Sequence, residues 1–289
     1  MNLSEILTKI KSIDIQTKGW VDSIFSGAYH SRFKGQGIHF SDVRHYDYGD
    51  DVRRIDWRVT AKLNEPYIKE FEEERDLTVM LAIDMSQSQY YQSGDTSKLD
   101  QVLEAAAILG FSAAANGDQV GLALFTNQVE TFIPPKSGKR HMYGVLSQIL
   151  NHQPASNHTS IRQCCATLAN SLKRRSVCFI LSDFIADNYD TEFKQLSQRH
   201  DVIPIIVQDP TELTIPSGGS VALRDSETGE VVLCDTNNPT TQAAMASILS
   251  SQHQRRDQLF NHVGVTPLFC GTNDSMIIKL QQYFKSRPR

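Results

Sequence analysis

No run in the sequence approaches the ~20 consecutive apolar residues that a helix needs to cross a bilayer. Residues Met1 to Ile13 mix polar and apolar side chains, where a secretory signal would carry an unbroken apolar core. The expected location is the cytoplasm. Neither sign of charge dominates: 29 Lys and Arg stand against 33 Asp and Glu, a formal net charge of -4. That balance gives no global attraction to nucleic acid or anionic membrane, so neither is expected as a partner. Cysteine is scarce. Cys164, Cys165, Cys178, Cys234 and Cys270 are five in number, show no C-x-x-C spacing, and fit reduced core thiols better than a disulfide framework. The adjacent Cys164 and Cys165 would point about 100° apart on a helix, which argues against joint redox chemistry. A phosphate-binding loop of the G-x-x-x-x-G-K-[ST] type is also missing, since Gly138-Lys139 lacks the preceding glycine. Nucleotide hydrolysis would have to belong to another protein.

What is present is the composition of a folded chain: 289 residues, 40% hydrophobic and 21% charged, enough to bury a large core. Leu3, Ile6, Leu7, Ile10 and Ile13 recur at helical spacing and predict a short amphipathic opening helix. From Ser31 to Asp76 the chain is dense in charges of both signs and carries Gly35, Gly37, Gly49 and Trp57. It reads as an irregular extension with a few short strands. Residues 1–76 are thus expected to form an N-terminal unit packed on a body formed by residues 77–289.

The body begins with Leu77 to Ile83, a continuous apolar run of strand length that suggests a strand buried on both faces of a parallel sheet. Ser97 and Asp100 resemble a capping box. Leu99, Val102, Leu103, Ala106, Leu109 and Ala113 then mark one helical face, closed by Asn116-Gly117. Val120 to Phe125 predicts a second strand, Gln128 to Ile133 an antiparallel neighbour, and His141 to Leu150 and Ile161 to Leu172 helices. Val177 to Leu181 is another buried strand. Val202 to Val207 and Val263 to Phe269 complete the set, and Pro204 and Pro267 place them away from the sheet centre. Val221 to Arg224 and Val231 to Cys234 flank a turn and predict a β-hairpin inserted at about residues 209–240. Alternating strands and helices imply a doubly wound, mostly parallel α/β sheet of Rossmann type, whose ligands sit beyond the carboxyl ends of the strands.

Two acidic residues stand at that end. Asp84-Met85-Ser86-Gln87-Ser88 follows the first buried strand, and Asp183 follows the strand ending at Leu181. A carboxylate and alternating hydroxyls in one loop are hard oxygen ligands of the kind magnesium takes, with only one or two carboxylates and several waters. Alone, D-x-S-x-S is equally the signature of a serine-rich turn or cap. Thr159, ahead of the helix at Ile161, adds a third loop, although it also suits the N-cap of that helix. Thr126 is a less favoured substitute. Taken in order, Asp84, Ser86, Ser88, Thr159 and Asp183 resemble the metal-ion-dependent adhesion site of von Willebrand factor A domains. That resemblance implies direct ligation by Ser86, Ser88 and Thr159, with Asp84 and Asp183 acting partly through water. It further implies an open position completed by a partner's carboxylate, and a divalent cation, Mg first, with Mn or Ca as alternatives.

The stretch Ser31-Arg32-Phe33-Lys34-Gly35-Gln36-Gly37, together with Asp42 through Trp57, narrows the resemblance to the domain of unknown function 58 family. These are MoxR-associated, von Willebrand factor A-like proteins. The likeness continues through Asp209-Pro210, Asp225 to Glu230 and Phe260 to Gly264; Gln89 departs from the methionine common at its position, where no ligand is expected. The family resemblance implies an adaptor for a MoxR-type AAA+ ATPase that assists maturation or assembly of a protein client. Within the extension, Arg44, Arg53, Arg54 and Arg58 lie among Asp42, Asp47, Asp50, Asp51 and Asp56, a pattern suited to internal ion pairs. The same stretch is a candidate docking surface, with Arg44, Tyr46, Asp50, Arg53, Asp56 and Trp57 as its residues. Glu70, Glu72, Glu73 and Glu74 read as a solvated face. A different class of function, a magnesium-dependent hydrolase or phosphotransferase using Asp84 or Asp183, also suits a strand-terminal aspartate. It lacks a general base in the motif loops other than His158, so the expectation is a non-catalytic protein.

Overall fold

The computed structural model describes residues 37–74, 77–213, 219–224 and 229–286. The opening helix expected around Leu3 to Ile13, the Ser31 to Gln36 motif and most of the turn at Asp225 to Glu230 lie outside the described residues. Six strands form the central sheet in the order β10-β7-β6-β3-β4-β5. These are β3 (Thr78–Asp84), β4 (Gln119–Phe125), β5 (Val129–Ser137), β6 (Val177–Leu181), β7 (Asp201–Gln208) and β10 (Leu268–Gly271). Every pairing is parallel except that of β4 with β5. The chain is therefore a mixed α/β fold with a mostly parallel sheet, compatible with a Rossmann-like arrangement.

The unbroken apolar run of β3 has a direct packing cause. Val79, Leu81 and Ile83 share a core with Val102, Ala106 and Leu109 of helix α2 (Lys98–Ala115), Val145 and Ile149 of α3 (Lys139–Asn151), and Leu280 and Phe284 of α8 (Met276–Ser286). Met80 and Ala82 point the other way, onto Ile161, Cys164 and Leu168 of α4 (Ile161–Ser171), Phe193 and Leu196 of α5 (Asp190–Arg199) and Phe260 of α7 (Pro239–Val263). Alternate side chains serve two helical layers, so no position is left for a polar residue. Complete burial of each Leu, Ile or Phe contributes roughly 1.5–3 kcal/mol, and both faces of the sheet collect it. The thioether of Met142 sits where a Cβ at Gly110 would stand, which lets α3 approach α2 closely.

Four of the five cysteines are buried, in keeping with core thiols. Burial pushes the thiols of Cys164, Cys165 and Cys178 well up, away from reactivity.

Two sequence expectations need correction. The last strand starts at Leu268 and not at Val263, because α7 runs to Val263 and Gly264 closes it in the left-handed region at φ 72°. β7 and β10 do lie away from the sheet centre, β10 at the edge and β7 second from it, as Pro204 and Pro267 imply. Pairing with β10 begins only at Ile205, so the missing N–H of Pro204 interrupts no bond in that ladder. The extension is also more regular than expected. β1 (Gly37–His45) and β2 (Tyr67–Glu74) form an antiparallel pair of nine and eight residues, joined through the short helix α1 (Trp57–Leu63). After β7 come the single turn of α6 (Pro210–Leu213) and a hairpin of β8 (Ser220–Arg224) and β9 (Val231–Asp235), which among the described residues pair only with each other.

Candidate functional site

From β3 the chain steps to β4 and β5 on one side of the sheet, then crosses to β6, β7 and β10 on the other. The switch point therefore lies between β3 and β6, and at their carboxyl ends stand Asp84, the last residue of β3, and Asp183, two residues after β6. Both carboxylates are buried. Asp84 Oδ2 accepts a hydrogen bond from Ser182 Oγ at 2.7 Å, and its Oδ1 accepts from the Ser86 backbone N–H at 2.9 Å. The first bond ties the ends of the two strands together and the second curls the motif loop back on itself. In that loop Ser86 Oγ and Ser88 Oγ stand 3.1 Å apart.

Asp183 is presented by a costly turn. Phe184 adopts φ 58°, a left-handed backbone that costs a bulky residue about 1–3 kcal/mol. Its ring is held edge-on by Phe193 and Phe260, at centroid distances of 6.2 and 5.3 Å, which offsets that strain. The turn leaves Asp183 Oδ1 accepting from Ile185 N at 3.2 Å and Oδ2 turned toward the motif loop.

The third loop arrives by backbone bonds: Gln87 N donates to Asn157 O at 3.3 Å and Ser160 N to Thr126 O at 2.8 Å. Thr159 lies half-buried between those contacts. The N-cap of α4 is Ser160, whose Oγ accepts from Gln163 N at 3.3 Å, so capping does not explain Thr159. Thr126 is committed elsewhere, donating to Glu130, a carboxylate also held by His152 at 2.8 Å. His158 is exposed.

Three residues complete the site: Lys98 and Ser182, which sequence reading passed over, and Gln89, which it noted only as a position donating no ligand. Gln89 is fully buried, with Nε2 3.4 Å from Ser88 Oγ and 3.5 Å from Asp183 Oδ2, bridging the two halves. Lys98, the first residue of α2, is also fully buried. Its Nζ donates to Asp183 Oδ2 at 3.1 Å and to Glu212 Oε1 at 2.9 Å. Burial alone would push that ammonium down, but the carboxylates of Asp183 and Glu212 outweigh it and hold the group above its ordinary value. Ser182 is the third. No motif marks a lysine at a helix start as internal, whereas Ser182 stood beside a candidate ligand and was legible in principle.

Next to the site, Asp209 fastens the loop after β3 to the ends of β7 and β10. It accepts from Ser93 Oγ at 2.5 Å, Thr211 Oγ1 at 2.6 Å and Thr272 Oγ1 at 3.2 Å. Although burial works the other way, the Ser93 and Thr211 donors hold its carboxyl down, to about 2.

The donor set suits a hard divalent cation. Burial, with the charge of Asp183 adding to it, pushes the Asp84 carboxyl well above the usual carboxylate range. Gln89 Oε1 is buried and, among the described residues, has no hydrogen-bond partner. Among the described residues no three His, Cys, Asp or Glu side chains converge as a metal cluster. A site of two carboxylates and several hydroxyls lies outside that pattern.

The extension sorts its charges by role. Arg44 grips Asp50 with two bonds of 2.7 and 2.8 Å, Asp51 caps the turn at Val52–Arg54, and Asp56 caps α1 through Arg58 N and Val59 N. The half-buried Tyr46 donates its N–H to Pro66 O at 2.9 Å. Arg53, Arg54 and Arg58 are exposed and make no ion pair among the described residues. Only one of the four arginines expected to form internal ion pairs does so. Trp57 is 69% exposed. Arg44, Asp50 and Asp56 thus bond within the extension, while Arg53 and Trp57 face solvent.

Among known proteins, an uncharacterized protein of Mycobacterium bovis and one of Mycobacterium tuberculosis are each 28% identical over 230 residues, covering 78% of this chain and 73% of theirs. Among solved structures, an aerotolerance-related membrane protein from Bacteroides fragilis aligns at a TM-score of 0.46 and 19% identity, over 73% of this chain and 100% of that one. The conserved hypothetical protein BatB from Bacteroides thetaiotaomicron gives 0.46 and 13%, over 72% and 97%. These scores are too low to establish a shared fold. The family model described as a protein of unknown function, DUF58, matches residues 42–255, and the chain belongs to that family.

Proposed function

We propose that the protein is a non-catalytic interaction module of von Willebrand factor A type, which docks a partner's carboxylate through a divalent cation. Ser86, Ser88 and Thr159 would hold the ion directly, with Asp84 and Asp183 acting partly through water, and Mg is the expected ion ahead of Mn or Ca. One observation carries the reading: two buried carboxylates flank the switch point, with paired serine hydroxyls 3.1 Å apart between strand end and helix. A hard cation bound there would supply charge neutralisation and a vacant coordination position.

In this reading the chain acts in the cytoplasm as an adaptor or co-chaperone of a MoxR-type AAA+ ATPase, serving a protein client. The outward-facing Arg53 and Trp57 support a second contact surface, since exposed Arg and Trp are the residue types that anchor interfaces. A pull-down with wild type and with Ser86→Ala plus Ser88→Ala, each with and without chelator, tests the adaptor reading. Recovery of an ATPase or client that is lost with chelator and in the double variant supports it. Equal recovery under all conditions removes the metal from docking.

A further inference from the structure

We infer that Lys98 is a tethered competitor for the divalent cation: its ammonium holds Asp183 Oδ2 while the site is metal-free, and Glu212 receives it when the ion binds. The inference rests on the metal reading above and adds the residue that sets how tightly, and at whose expense, the ion is held.

The geometry points to an exchange. Lys98 Nζ is shared, 3.1 Å from Asp183 Oδ2 and 2.9 and 3.2 Å from the two oxygens of Glu212. The Asp183 oxygen it occupies is the one facing Gln89 and the serine loop, whereas Oδ1 is taken by the Ile185 N–H. A cation arriving at that oxygen must meet a fixed positive charge already in place. At low effective dielectric, two like charges a few ångströms apart repel strongly. Lys98 cannot retreat into solvent, because its side chain is entirely enclosed. Glu212, 26% exposed on α6, is the second carboxylate already in contact with it, so a small shift of Nζ toward Glu212 frees Asp183 without leaving the ammonium unpaired.

The backbone lets that shift be felt elsewhere. Glu212 also accepts from the Asp209 N–H at 3.0 Å, and Asp209 holds Ser93, Thr211 and Thr272. Lys98 itself begins α2, inside the Ser97–Asp100 capping box. A change in how Nζ is divided between two carboxylates is therefore passed to the segment after β7 and to the loop between the serine motif and α2.

Manganese titration followed by electron paramagnetic resonance, on the full chain as wild type, Lys98→Met and Glu212→Gln, tests the exchange. With the competing charge removed, Lys98→Met should bind Mn at least about tenfold more tightly. Glu212→Gln leaves Nζ only Asp183 to rest on and should bind several-fold more weakly. Loss of packing or fold would weaken both variants alike, so opposite signs distinguish competition from a structural role. If Lys98→Met does not fold without metal, Glu212→Gln decides together with its own urea unfolding: weaker binding at unchanged metal-free stability supports the exchange, and weaker binding that only tracks lost stability, or unchanged or tighter binding, overturns it. Equal affinity in all three proteins overturns the role of Lys98 while leaving the metal site standing. Absence of saturable Mn binding in all three overturns the metal reading itself.

Discussion

Ser182 Oγ donates to Asp84 Oδ2 across 2.7 Å, joining the ends of the two central parallel strands at the point where the chain reverses its direction across the sheet. Both residues are fully buried, so this bond is made where water cannot replace it. Ser182→Ala should lower stability by about 1–3 kcal/mol, the cost of stranding a buried acceptor. Urea unfolding of wild type and variant measures it, and a change under a few tenths of a kcal/mol would mean that the two strand ends are held by packing alone.

Asp209 gives a prediction in pH. Its folded carboxyl is held to about 2, below its unfolded value near 4. A group with a depressed folded value stabilises above the unfolded value, and that contribution fades as pH falls from about 4 toward 2. Asp209→Asn should therefore be least stable relative to wild type at neutral pH, with the gap narrowing between about pH 4 and 2. Thermal melts across that range check it; a gap independent of pH would contradict the assignment.

The two roles of the extension separate by mutation. Arg53→Ala and Trp57→Ala remove outward side chains and should leave stability within about 0.5 kcal/mol while reducing recovery of an ATPase partner. Asp50→Ala breaks the bidentate hold on Arg44 and the bond from Asp47 N, and should lower the melting temperature. Unchanged partner recovery in both surface variants would reduce the segment to a structural role.

How much of this was legible in the sequence depends on the range of the forces involved. β3 and β6 were readable because burial on two faces demands an uninterrupted apolar run, and the capping box at Ser97 because its two bonds span three residues. Asp84, Ser86 and Ser88 were readable as a local loop pattern. The ion pair of Lys98 with Asp183 was not, since 85 residues separate its partners and nothing near Lys98 marks it as internal. The arginines of the extension misled for a related reason. Composition shows four arginines among five aspartates, but helix and turn caps consumed Asp51 and Asp56, leaving Arg53 and Arg58 outward.

The enzymatic alternative predicts turnover. The protein with magnesium is expected to hydrolyse no generic phosphoester, because the buried carboxylates are engaged by Ser182, Gln89 and Lys98, His152 is engaged by Glu130, and His158 is exposed. Turnover in wild type that Asp84→Ala abolishes would favour a hydrolase or phosphotransferase.

The most direct measurement is calorimetric titration of Mg and Mn into wild type and into Ser86→Ala plus Ser88→Ala, the pair whose hydroxyls stand 3.1 Å apart. A hydroxyl-rich site predicts saturable binding of one ion per chain in wild type and its loss in the double variant. Binding that survives removal of both hydroxyls, or heat that never saturates in either protein, would contradict a cation held at the switch point.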